Sequence, residues 1–68
     1  MKETYIVRTF IGNRQMESAT VFDKDNADKL VKDSDKSMID QGYRRVSYLK
    51  TRIDKKHITS ITLTYQKD

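Results

Sequence analysis

Cysteine and proline are both absent from this 68-residue chain, and glycine occurs only twice. Without cysteine there is no disulfide to restrain the unfolded state and no thiolate for zinc or nucleophilic chemistry. The single histidine is too few for the usual all-protein zinc sets, which draw on several His or Cys ligands. A cysteine-free chain also fits a reducing compartment. Long apolar runs are missing as well. The start, Met1-Lys2-Glu3-Thr4-Tyr5, opens no apolar run of signal-peptide length, and no stretch approaches the roughly 20 apolar residues of a membrane span. A soluble, cytoplasmic protein without a membrane partner is expected. No linker, internal repeat or low-complexity tract divides the chain, so residues 1–68 are expected to form one small domain.

What is present is an uneven distribution of charge. Residues 15–42 carry seven carboxylates (Glu17, Asp23, Asp25, Asp28, Asp33, Asp35, Asp40) against four lysines, a net of −3. Residues 43–57 carry Arg44, Arg45, Lys50, Arg52, Lys55 and Lys56 against Asp54 alone, a net of +5. The overall +4 is therefore the residue of an acidic middle and a basic segment behind it. Such asymmetry bears on partner choice and association rate rather than on fold.

Periodicity supplies the fold. Residues 4–11 and the alternate positions of 16–22 are rich in β-branched, aromatic and apolar types, and Gly12-Asn13 between them suits a two-residue type II′ hairpin turn. Counting outward pairs Ile11 with Arg14, Thr9 with Met16, Arg8 with Glu17, Val7 with Ser18 and Ile6 with Ala19. Ala27, Leu30, Val31, Ser34 and Met38 then form one stripe at a 3.6-residue period, which predicts a helix over about residues 25–41. Asp25, with Asp23 as a second candidate, is placed to cap its start, and Gly42 to end it in a left-handed conformation, with Tyr43 reaching back to Met38. Residues 57–65 alternate Ile, Leu and Tyr with Ser and Thr and read as a strand. Residues 43–53 pair with them, placing Ile53 opposite Ile58, Lys50 opposite Ile61, Tyr48 opposite Leu63 and Val46 opposite Tyr65.

The order is thus ββαββ, an α+β class whose simplest form is a four-stranded antiparallel sheet of two hairpins with the helix packed on one face. The expected inner set is Tyr5, Val7, Ile11, Met16, Phe22, Val46, Tyr48, Ile61, Leu63 and Tyr65. The opposite face is expected to show Ile6, Phe10, Ala19, Val21, Leu49, Ile53 and Ile58 among polar neighbours such as Arg8, Arg45, Thr51 and Thr59. That is more apolar than an ordinary solvated face. A chain this short buries only about 60% of its unfolded surface, so a partner or a second copy is a natural supplement to its core.

Enzymatic readings fare poorly. His57, the one near-neutral base, lies in a lysine-flanked turn, without a partner or sheltered site in view. Gly12 and Gly42 stand apart and make no phosphate-binding loop. The run Asp23-Lys24-Asp25-Asn26-Ala27-Asp28 begins like a calcium loop. Asp28, however, stands where the turn glycine belongs, and Ser34 where the bidentate glutamate belongs. Asp33 and Asp35, two apart on a helix, make no paired-carboxylate site. No cofactor, metal or small-molecule substrate is expected. The leading expectation is a non-enzymatic binding module acting by protein–protein contact or self-association through its sheet, with Ile6, Phe10, Val21, Leu49, Ile53 and Ile58 as the partner surface. An enzyme subunit that only completes another chain's site reads the same way. The alternative is nucleic-acid binding through residues 43–57, with Arg44, Arg45, Lys50, Arg52 and Lys55 on phosphates and Tyr48 stacking on a base. A basic strand is equally a way to blunt a sheet edge.

Overall fold

Both glycines sit where the backbone reverses. In the computed structural model, which describes residues 3–67, Gly12 has φ 58° and Gly42 has φ 89°, conformations that side chains with a Cβ rarely adopt. Met1, Lys2 and Asp68 lie outside the described residues, as does the part of the chain's start that bears on targeting. Asn13 keeps a negative φ, so Gly12-Asn13 has the sign pattern of the expected type II′ turn.

Around these turns the chain forms β1 (Thr4–Ile11), β2 (Arg14–Val21), α1 (Lys24–Asp40), β3 (Tyr43–Ile53), a single 3₁₀ turn (Asp54–Lys56) and β4 (Ile58–Lys67). The ββαββ order and the α+β class are as expected. The sheet, however, is mixed rather than purely antiparallel. Its strand order is β2-β1-β4-β3, and β1 and β4 pair in parallel at the centre. This arrangement puts the two strands with the cleanest apolar alternation in the middle, where one face can be fully covered. The more polar β2 and β3 take the edges. The first and last strands of the chain are thereby neighbours, and α1 carries the chain from one edge to the other.

Asp23 caps α1, accepting from the Asn26 backbone N–H at 2.8 Å, with Asp25 adding negative charge in the first turn. At the other end the Gly42 N–H donates to the Ile39 carbonyl at 3.0 Å, one of the bonds of a glycine-terminated helix. Ala27 and Met38 are buried beneath the helix, while Leu30, Val31 and Tyr43 pack against the core half-buried. The sheet contributes Tyr5, Val7, Ile61, Leu63 and Tyr65, with Thr9 and Thr59 also buried. Thr59, expected on the opposite face, is therefore part of this interior.

Two irregularities alter the expected register. The first hairpin starts as counted, with Ile11 opposite Arg14 and then Phe10 opposite Gln15, but Met16 bulges out between them and the rest. Thr9 consequently faces Glu17, Arg8 faces Ser18, Val7 faces Ala19, Ile6 faces Thr20 and Tyr5 faces Val21. The Arg8–Glu17 cross-strand pair does not form. A one-residue slip reverses facing, so Ala19 and Val21 turn to the helix side. In the second hairpin Ile53–Ile58, Lys50–Ile61 and Tyr48–Leu63 pair as expected, but Val46 bulges and Arg45 opposes Tyr65 instead. Met16 and Val46, expected inside, are accordingly exposed, as is Phe22 in the turn before α1, at 62%.

Candidate functional site

α1 comes closest to β1 and β3, so it runs diagonally over the middle of the sheet from the end of β2 to the start of β3. One tie anchors that path. The Tyr65 hydroxyl donates to Asp35 Oδ1 at 2.6 Å and lies 3.0 Å from Ser34 Oγ, while Arg45 donates to Asp35 Oδ2 at 2.9 Å. Burial first, and then the bond to Asp35, push the Tyr65 pKa up to about 12, keeping the phenol neutral. Asp35, half-buried, thus joins the helix to both strands of the second hairpin, a role its place off the apolar stripe did not announce.

The far side of the sheet carries no helix. Strand pairing brings Ile6, Phe10, Ile58, Leu49 and Ile53 to this face, together with Arg8, Ser60, Thr62, Thr51 and other hydroxyl residues. Leu49 is 60% exposed and Ile53 46%, whereas Ile6, Phe10 and Ile58, on the central strands, are half-buried. Ile53 and Ile58 are direct cross-strand partners, forming an apolar end to the face. Arg8 sits in the middle and donates to Ser60 Oγ at 3.2 Å. No strand carboxylate among the described residues faces this way, because Glu17 pairs with Thr9 on the helix side. Val21 does not belong to the group. It packs against the core on the opposite face, moved there by the Met16 bulge.

The basic segment divides. The Val46 bulge sets Arg45, Tyr48, Lys50 and Arg52 together on the helix side of β3, while Arg44 pairs with Gln66 on the open side and Lys55 lies in the 3₁₀ turn. Arg45, expected on the outer face, is occupied by Asp35 and stands 5.3 Å from the centre of the Tyr48 ring. Arg52 is held between Glu3 and Asp54, each at 2.7 Å, and both carboxylates raise its pKa, Glu3 most. Tyr48 is exposed beside them. His57 is half-buried, with φ 51°, its N–H bonded to the Asp54 carbonyl and its carbonyl to the Thr4 N–H. That backbone role closes the second hairpin onto β1.

A groove lies between α1 and β2, where the diagonal helix leaves the edge strand uncovered. It encloses about 300 Å³ over Val7, Ile11, Met16, Ala19, Leu30 and Met38, with Glu17 and Asp33 on its walls. No helix among the described residues is long and apolar enough to cross a membrane. Against known proteins, the chain matches no family model, no curated protein and no solved structure.

Proposed function

We propose that this chain is a non-enzymatic binding module that works through its open sheet face, and that a second copy of the chain is the occupant this face suits. The observation that carries the reading is a single one. A four-stranded sheet covered on one side only presents Ile6, Phe10, Leu49, Ile53 and Ile58 on the other, with no strand carboxylate among the described residues between them. Two such faces packed about 10 Å apart would give a helix–sheet–sheet–helix sandwich, and each thin domain would gain a second buried layer.

Size sets the strength. Four strands about 4.8 Å apart and about eight residues long at 3.3 Å each give a planar footprint of about 500 Å². Stable interfaces bury about 800 Å² on each partner, so the association is weak and concentration-dependent. Arg8, near the middle of the face, approaches its own counterpart across a twofold axis and lowers affinity further. The nucleic-acid alternative draws less support, since Arg45 and Arg52 already spend their charge on carboxylates and Arg44 points to the other side.

Sedimentation velocity from tens of micromolar to millimolar protein tests the reading. Wild type is expected to rise toward twice the monomer mass, and Leu49→Lys to remain monomeric with an unchanged circular dichroism spectrum. A wild-type protein that stays monomeric throughout overturns self-association through this face.

A further inference from the structure

We propose that the free edge of β2, with the groove beside it, takes an extended lysine- or arginine-bearing peptide of a partner protein by strand addition. This surface lies on the helix side of the sheet and is independent of the open face.

Three observations converge on it. The strand order β2-β1-β4-β3 leaves one side of β2 unpaired, so alternate N–H and C=O groups there are available to an incoming strand. Past the Met16 bulge, Glu17–Val21 is a regular stretch that pairs with β1 without further irregularity. Beside that stretch the groove runs on toward the start of α1. A second hollow of about 250 Å³ around Val21 and Asn26 shares the walls Leu30 and Asp33 with the first.

Charge identifies the occupant. Glu17 on β2 and Asp33 on α1 line the groove, and neither has an ion-pair partner among the described residues. Lys29 is the one cation on the walls, at the far end of the trough. Ala19, between Glu17 and Val21 on the helix side of the strand, is the low point of the edge. A long basic side chain on the added strand leans across it, laying its methylenes on Leu30 and Val21 and its charge between the two carboxylates. A lysine or arginine directly opposite Glu17 makes the favourable cross-strand pair that Arg8 does not. The other free edge, β3, has no carboxylate of its own to offer such a peptide, and the nearby Asp35, Glu3 and Asp54 are already engaged by Arg45 and Arg52.

The test is a nuclear magnetic resonance titration of the ¹⁵N-labelled full chain at dilute concentration. The probe is a capped synthetic octapeptide alternating lysine and valine. The counterpart alternates glutamate and valine, and a third peptide is the lysine form N-methylated at alternate residues. Saturable shifts confined to residues 17–21 and 29–37 are expected, with affinity at least about tenfold weaker for the glutamate peptide. N-methylation should abolish binding, because the backbone ladder carries it. The double variant Glu17→Lys, Asp33→Lys changes two exposed side chains and should reverse the preference between the charged peptides. Equal affinity for both, shifts spread over the open face, indifference to N-methylation, or no saturation at millimolar peptide each overturn the proposal. Concentration-dependent shifts confined to the β2 edge in the absence of peptide, without those of Ile6, Phe10 and Leu49 that pairing through the open face brings, also overturn it, since the occupant of the edge is then a second copy. Monomeric behaviour in sedimentation, by contrast, bears on the open face alone.

Discussion

β3 and β4 are the two strands of one hairpin, and nearly every residue of one is paired with the other, yet they live in different environments. On the helix side β4 presents Thr59, Ile61, Leu63 and Tyr65, none more than 2% exposed. Their partners on β3 are Arg52, Lys50, Tyr48 and Arg45, all exposed. One spacing of about 4.8 Å separates the two rows. The difference comes from rank in the sheet. β4 lies between β1 and β3 under the diagonal helix, while β3 has solvent beyond it. Its long basic side chains suit that position, keeping their charges in water and their stems against the rim of the core.

Truncation on the two sides of this pair gives the largest contrast. Leu63→Ala removes a fully buried side chain from the middle of the core and is expected to cost about 2–5 kcal/mol. Tyr48→Ala, directly opposite on β3, is expected to cost about 1 kcal/mol or less. Urea denaturation of both variants checks this. Comparable losses would mean that β3 is as well covered as its partner, contrary to the exposure of Tyr48.

Next in size is the hydroxyl of Tyr65, through which β4 holds the helix. Tyr65→Phe deletes a hydrogen bond to a carboxylate, and a loss of about 1–3 kcal/mol is expected at neutral pH. The same group gives a pH signature. Its folded pKa is raised from 10.0 to about 12, so the folded state holds the proton more tightly than the unfolded chain does. This stability is fully present below pH 10 and is lost as pH rises through 12. The difference in stability between wild type and Tyr65→Phe should therefore shrink across that window. A difference that stays constant from pH 8 to about 12 would show that the phenol titrates normally.

These contrasts also mark what the residues alone disclose. Gly12, Gly42, the aspartates at the helix start and two clear periods made the hairpins and the helix legible, because each signal is local, though Asp23 rather than the first candidate Asp25 is the residue that caps. The parallel pairing of β1 with β4 was not, since it depends on how two distant hairpins sit side by side. The bulges at Met16 and Val46 were equally hidden. Neither position carries glycine or another residue type that marks a bulge, yet each displaces a whole row of side chains. This is why Ile6, Phe10, Leu49, Ile53 and Ile58 share a face as the alternation implies, while Val21, beyond a bulge, joins the core. The α1–β2 groove was invisible for a different reason. It arises from the diagonal path of the helix, and no stretch of sequence encodes an angle by itself.

A smaller effect is expected where β3 meets α1. Arg45→Gln breaks an exposed ion pair with Asp35 and is expected to cost at most about 1 kcal/mol, and less at high salt. Tyr65 still reaches Asp35 in that variant, so the helix keeps its anchor on the buried strand. Thermal unfolding at low and high ionic strength resolves the two contributions. A loss larger than that of Tyr65→Phe would place the principal tie on the exposed strand and reverse the ranking of β3 and β4.

The smallest change in stability is expected on the other side of β3, at Leu49. This side chain is 60% exposed and opposes Thr62 across the strands, so little apolar contact is lost when it is replaced. Leu49→Lys should alter the unfolding free energy by no more than about 0.5 kcal/mol, measured at concentrations where the wild type is monomeric. Its effect on association is expected to be complete. In a face-to-face pair the new ammonium group would have to be desolvated against an apolar surface that, among the described residues, offers no strand carboxylate. The matching change Arg8→Thr should act in the opposite direction, strengthening association by removing a like charge from the middle of the face. If Leu49→Lys destabilises the monomer as much as Tyr48→Ala, the open face is already contributing to the folded state of a single chain. If it leaves both stability and association untouched, Leu49 is an ordinary exposed leucine and the contact surface must be sought elsewhere.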